Sequence, residues 1–172
     1  LKAKTLFTAA SLLNMDDDKL AELIRPAGYF RLKTKRLKNF LRMLVEDFDG
    51  DISNMKKLGT SAAREKLLSV SGIGPETADS IALYALELPT FVIDAYTFRI
   101  LSRHGLCEEQ PTYDDLQRLF MDGLEEDVGL YNEFHALIVK LGKDFCRPRP
   151  LCDECPLNGW AGGPRGLSPE PS

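Results

Sequence analysis

The sequence predicts an all-α fold. Three observations carry this. Apolar residues recur at the i, i+3, i+4, i+7 spacing along most of the chain. No stretch alternates apolar and polar residues as a half-buried strand would. Short breaks bearing Gly, Pro or Asp separate the periodic segments, and no repeat at a solenoid period is present. Asp17 or Asp18 is placed to cap a first helix with Leu20, Leu23 and Ile24 on one face, ended by Pro26-Ala27-Gly28. A longer helix follows Tyr29-Phe30, with Leu37, Phe40, Leu41, Leu44, Val45 and Phe48 in register, and closes at Asp49-Gly50. Thr60 or Ser61 is placed to cap the helix carrying Leu67, Leu68 and Val70. Thr112 with Asp115 forms a capping-box pattern ahead of Leu116, Leu119 and Phe120. The last helix is striped by Phe134, Leu137, Ile138 and Leu141. From Pro156 the chain turns rich in Pro, Gly and Ser, so residues 156–172 read as a loose tail behind a domain of residues 1–155.

With 172 residues, 44% hydrophobic and 28% charged, the chain can bury a core as one domain or two small lobes. No apolar run approaches the roughly 20 residues of a membrane span, and the start LKAKTLFTAASLL lacks a small-residue cleavage site, so the chain reads as cytoplasmic, with no membrane partner. The net charge of -4 excludes coating nucleic acid through bulk positive charge. Any such contact must be local. Arg31, Lys33, Lys35, Arg36, Lys38 and Arg42 form one basic run, readable as a solvated helix face or as a phosphate contact.

The stretch SGIGPETADSIALYAL, from Ser71, holds Gly72-Ile73-Gly74 ahead of Pro75. Glycines admit backbone angles that a Cβ forbids, Pro suits a first helical position, and the helix starting there turns unpaired N–H groups outward. Such a hairpin is either a plain helix–helix turn or a backbone cradle for a phosphate. Beyond it, apolar Pro89 to Ile93 leads to a single carboxylate, Asp94, followed by helical AYTFR. Asp94 emerges from a buried approach, and on its own it reads as a helix N-cap, the commonest job for an Asp at such a boundary. Cys146-x5-Cys152-x2-Cys155 has metal-type spacing where a cytosolic chain would not keep disulfides, and reads as an iron–sulfur ligand set, a zinc set or plain thiols. His104 reads as a helix-end residue and His135 as a helix-packing one, since neither has a partner beside it in sequence.

Taken in order, LLSVSGIGPETADSIALYAL, FVIDAYTFRIL and CRPRPLCDECPL resemble the helix-hairpin-helix (HhH-GPD) superfamily of DNA base-excision glycosylases, over about residues 20 to 157. The resemblance implies a two-lobed helical bundle with a DNA-binding cleft, acting as a monomer on double-stranded DNA that carries a damaged base, in a bacterial or archaeal cytoplasm, nucleoid-associated. By it Asp94 is the catalytic carboxylate, Gly72, Ile73, Gly74, Glu76 and Thr77 grip a DNA phosphate, and Lys33 and Lys35 lie near the backbone. It also implies a [4Fe–4S] cluster on Cys146, Cys152 and Cys155, although the place of the family's fourth cysteine holds Ala161 and Cys107 stands after a different helix.

Bifunctional members attack the sugar with a lysine in the second hairpin helix. Glu76 stands at that place here and cannot form a Schiff base, which implies a monofunctional enzyme. Glu76, Asp79 and SIALYAL look most like the alkyl-base (3-methyladenine) branch. An alkylated purine already carries positive charge and leaves readily, which suits a site with one evident carboxylate. Oxidised or mismatched bases, as for endonuclease III, and a non-enzymatic helix-hairpin-helix module are the alternatives. The helical segment that endonuclease III-like proteins carry ahead of the position of Leu1, which fills the gap left by a flipped base, has no recognisable counterpart here.

Overall fold

The computed structural model describes residues 7–159. Regular structure among them is helical, as the periodicity predicts, and the chain divides into two compact units, Leu1–Leu88 and Pro89–Ser172. No described helix is long and apolar enough to cross a membrane. Most of the expected tail, from residue 160 on, lies outside the described residues.

The first unit holds α1 (Ala9–Leu13), α2 (Asp17–Leu23), α3 (Phe30–Phe48), α4 (Ile52–Lys56), α5 (Thr60–Leu68) and α6 (Pro75–Tyr84). Helix α2 starts one residue earlier than expected: Asp16 is the cap, its Oδ1 accepting from the Asp18 and Lys19 N–H groups at 3.1 Å each. Asp17 and Asp18 fill the first turn instead, where the helix dipole favours carboxylates. Its buried pair is Leu20 and Ala21, while Leu23 is exposed. Helix α3 ends at Phe48, with Asp49 as its C-cap where the sequence closes it, and buries Leu41, Met43, Leu44 and Phe48. Helix α5 is capped by Gly59 at φ +77°, so Thr60 is its first residue and neither Thr60 nor Ser61 is the cap. Met43, Phe48, Met55, Ala63, Leu67, Ile73 and Ala82 belong to one continuous core cluster.

The second unit holds α7 (Ala95–Arg103), α8 (Tyr113–Gly123) and α9 (Val128–Asp144). The Thr112–Asp115 capping box at α8 forms as the sequence predicts. Phe91 is fully buried, stacked on Phe120 at 4.1 Å between centroids, with Tyr131 and Phe134 edge-on at 5.6 and 6.0 Å. Gln117 satisfies the buried approach to Asp94, donating from Nε2 to Thr90 Oγ1 at 3.1 Å and to the Phe91 carbonyl at 2.7 Å. The buried face of α9 differs from the expected stripe: it is Tyr131, His135, Ile138 and Gly142, with Phe134 and Leu137 exposed. The core takes a histidine and a glycine that a hydrophobicity pattern passes over. Gly142 is where α7 and α9 meet closely, since a Cβ there would stand 2.3 to 2.8 Å from the Tyr96 side chain.

Candidate functional site

In the first unit, α5 and α6 are joined by a tight turn over Ser69 to Gly74, giving the expected helix–hairpin–helix. The two helices are tied by a buried ion pair: Arg64 Nε and Nη2 reach the Asp79 carboxylate oxygens at 2.7 and 3.3 Å, with the Asp79 side chain fully enclosed. The two glycines do different jobs. Gly72 has φ +97°, and a Cβ on it would meet the stem of Arg36 at 2.4 Å. Asn39 braces the same turn by donating from Nδ2 to the Ser71 carbonyl at 2.9 Å. Gly74 corrects the expectation that both glycines need angles closed to other residues: its φ of -97° is open to any residue, with nothing within 4 Å of a Cβ. The fold does not require a glycine at 74, whose bareness leaves the start of α6 open.

Ile73 turns its side chain into the core, and its N–H donates to the Val70 carbonyl at 3.0 Å, so its amide is committed to the turn. Gly74 is the N-cap of α6 without a side-chain cap bond, Pro75 has no N–H, and Glu76 and Thr77 lie exposed in the first turn, whose amides a helix does not use itself. An anion is favoured there by backbone dipoles. Of the basic run on α3, Lys33 is exposed with its Nζ bonded to the Ala27 carbonyl, Lys38 ties back to Asp17 and to the Met15 carbonyl, and Lys35 is exposed.

In the second unit, Asp94 is the N-cap of α7, as its place in the sequence allows. Its Oδ1 accepts from the Thr97 N–H at 2.8 Å and the Thr97 hydroxyl at 2.9 Å. Its Oδ2 lies 3.5 Å from His135 Nε2, and the two side chains are only 12% and 10% exposed. Burial raises the Asp94 carboxyl, but the His135 contact and the two Thr97 bonds together outweigh it and hold the group below the ordinary aspartate value. Asp94 is therefore an ionised, oriented, largely desolvated carboxylate. His135 packs on α9 as the sequence predicts, and its contact with Asp94 is what sequence reasoning missed. The histidine lies 41 positions from Asp94, and only the burial of the Tyr131–His135–Ile138–Gly142 face of α9 brings it there.

Past α9, two arginines of α7 pin the cysteine loop. Arg99 donates to the Gly142 and Cys146 carbonyls at 3.1 and 2.7 Å, and Arg103 to the Arg147 and Pro148 carbonyls at 2.6 and 2.9 Å. Arg103 Nη1 also stands 3.3 Å from Cys146 Sγ. Cys146, Cys152 and Cys155 line one cavity with Arg103 and His104. Among the described residues, however, no three His, Cys, Asp or Glu side chains are gathered as metal ligands. Three thiols spread around a cavity do not make the four-thiolate set of a [4Fe–4S] centre, so the residues as they stand do not fit that group. Cys107 is apart from them, 3.7 Å from the Ser102 hydroxyl.

Comparison with known proteins gives the family. The profile of the HhH-GPD superfamily of base excision DNA repair proteins matches residues 1–126. The chain belongs to this superfamily. It is 48% identical over 159 residues to MJ1434 of Methanocaldococcus jannaschii, a DNA repair glycosylase by name, covering 91% of this chain and 72% of that one. Endonuclease III of Thermotoga maritima is 28% identical, over 86% of this chain and 65% of its own length. Among solved structures, the H. pylori 3-methyladenine DNA glycosylase MagIII, bound to 1,N6-ethenoadenine, superposes with a TM-score of 0.68 at 33% identity, over 78% of this chain and 66% of that one. The chain thus spans about two thirds of the length of these HhH-GPD relatives.

Proposed function

We propose that the chain is a monofunctional DNA glycosylase that hydrolyses the N-glycosidic bond of an alkylated base in double-stranded DNA. The observation that carries the reading is Asp94: a carboxylate held by Thr97, kept ionised, and set at the end of a buried segment. Breaking the bond between C1′ and the base nitrogen sends the electron pair out with the base and leaves positive charge on the sugar. A fixed carboxylate stabilises that charge and takes a proton from the water that adds to C1′. Each carboxylate oxygen has two lone pairs, so the contacts with Thr97 and His135 leave acceptor capacity toward substrate. A base alkylated at a ring nitrogen leaves as a neutral molecule, so no general acid is needed. The open helix start at Gly74, Glu76 and Thr77 is read as the phosphate grip, with Gly72 and Ile73 shaping the turn and Lys33 and Lys35 as flanking cations.

Glu76, exposed in the first turn of α6, supplies no amine, which supports hydrolysis without strand cleavage. The likeness to a 3-methyladenine glycosylase at 33% identity favours the alkyl-base reading. The endonuclease III relatives favour a second reading, release of an oxidised or mismatched base. The test is base release across duplexes carrying 3-methyladenine, hypoxanthine, uracil, thymine glycol, or adenine opposite 8-oxoguanine. Release of the alkylated base with no borohydride-trapped adduct on abasic DNA is the expected result. Preferential release of thymine glycol, or a trapped adduct, would overturn the specificity or the monofunctional assignment respectively.

A further inference from the structure

We propose that His135 is a positioning residue for Asp94, holding the second carboxylate oxygen in the ionised state that the reaction needs. The two oxygens are held from different helices. Oδ1 is fixed by Thr97, on the same helix that Asp94 caps, through bonds of 2.8 and 2.9 Å, and these set the carboxyl plane. Oδ2 faces Nε2 of His135 on α9 at 3.5 Å, a longer and more adjustable contact. In an enzyme without substrate such contacts are commonly long and tighten as charge builds at the reacting centre. Both side chains are nearly enclosed, so the interaction is screened little by water.

His135 is itself held in place. Its ring lies edge-on to Phe91 at 6.4 Å between centroids, inside the aromatic group of Phe91, Phe120, Tyr131 and Phe134. Of the other polar groups nearby, Tyr113 accepts from the Ile93 N–H at 3.3 Å through its hydroxyl, and Tyr131 is buried a turn ahead of His135 on α9. Tyr131 is neutral at physiological pH, since burial and then Glu126 raise its phenol further. His135 Nε2 is the ring nitrogen set 3.5 Å from Oδ2. Removing it leaves desolvation acting on Asp94 with only Thr97 to oppose it, so the carboxyl titrates at higher pH.

The inference rests on the reading of Asp94 as the catalytic carboxylate, and its test separates the two. In the full chain, the Asp94 carboxyl is titrated by carbon-13 NMR, and base release from an alkylated duplex is followed against pH, in wild type, His135→Phe and His135→Gln. Phenylalanine keeps the edge contact with Phe91 and loses the N–H. Glutamine loses the ring and keeps an N–H donor. The positioning role predicts that His135→Phe moves the Asp94 titration and the acid limb of base release to higher pH and slows release at least about tenfold, the equivalent of losing one hydrogen bond to a charged group, with DNA affinity unchanged. His135→Gln recovers part of both. A purely packing role predicts the reverse order, with phenylalanine the milder change and the titration unmoved, and that result overturns the proposal. If Asp94→Asn keeps full activity, the catalytic reading falls. The NMR titration then still decides whether His135 sets the ionisation of Asp94.

Discussion

The hairpin and the Asp94 platform solve opposite problems with opposite materials. On the proposed reading, the working groups at the hairpin are main-chain amides at the start of α6, and the side chains matter mainly by being absent or by bracing the turn from behind: Gly74 leaves space, while Arg36 and Asn39 support. At Asp94, on the same proposal, the working group is one side chain, and its surroundings do the rest. Thr97 fixes its plane, and His135, edge-on to Phe91, faces its other oxygen. A backbone site depends on conformation and tolerates changes of side-chain charge. A side-chain site depends on the identity of the residue and on partners far away in sequence. The two should therefore fail differently when mutated.

The largest expected effect lies under the hairpin. Asp79→Ala removes the fully enclosed carboxylate from its pair with the half-buried Arg64, and removing one partner of a buried pair costs about 3–5 kcal/mol, read as a fall in the denaturant midpoint. A loss below about 1 kcal/mol would show that Arg64 relaxes to solvent and that the pair does not brace the two helices. A smaller effect separates the two glycines. Gly72→Ala forces a side chain into φ +97° against the Arg36 stem and costs about 1–3 kcal/mol, whereas Gly74→Ala stays within about 0.5 kcal/mol of wild type by thermal or denaturant unfolding. Equal losses at both positions would remove the distinction between a glycine needed by the turn and one needed by the ligand.

Metal removal should have the smallest effect on stability. Because Arg99 and Arg103 already hold the cysteine loop by three carbonyl bonds, incubation with a strong iron and zinc chelator should shift Tm by less than the ~2–4 °C that 1 kcal/mol produces in a chain of this size. Collapse of the second unit on chelation would show instead that a metal completes that loop. Lowered pH acts on the same unit. The Asp94 carboxyl lies below its ordinary value, so its contribution to stability is present above the ordinary aspartate range and is lost only as pH falls through the lowered native value. Wild type should accordingly unfold more readily in acid than Asp94→Asn does, relative to each protein at neutral pH.

What could be read in the sequence follows from the same contrast. The hairpin is local: Gly72, Gly74, Pro75 and the flanking helical periods lie within one short run, and the turn formed where they place it. The α8 capping box was legible for the same reason, as two residues three apart that satisfy each other. Asp94 was legible as a cap, because capping is also a local act. The contact with His135 was not, since it depends on the rotation of α9, and that rotation is set by Tyr131 and by the bare Gly142 under Tyr96 rather than by the more obvious Phe134 and Leu137. The arginine bonds to the cysteine-loop carbonyls were hidden likewise, spanning 44 to 47 residues between α7 and the loop. Cap positions at α2 and α5 slipped by one residue because neighbouring Asp, Thr and Ser residues offer similar caps, and backbone geometry chose Asp16 and Gly59.

The central claim is that binding belongs to the hairpin backbone and chemistry to the Asp94 carboxylate. It is tested most directly by measuring DNA affinity and single-turnover base release on one alkylated duplex for wild type, Gly74→Ala and Asp94→Asn. The account predicts that Asp94→Asn keeps its affinity while release falls by at least about 10²-fold, the scale of losing a main electrostatic stabiliser, and that Gly74→Ala loses affinity but retains the release rate once DNA is saturating. Full release activity in Asp94→Asn, or loss of binding and chemistry together in both variants, would contradict it.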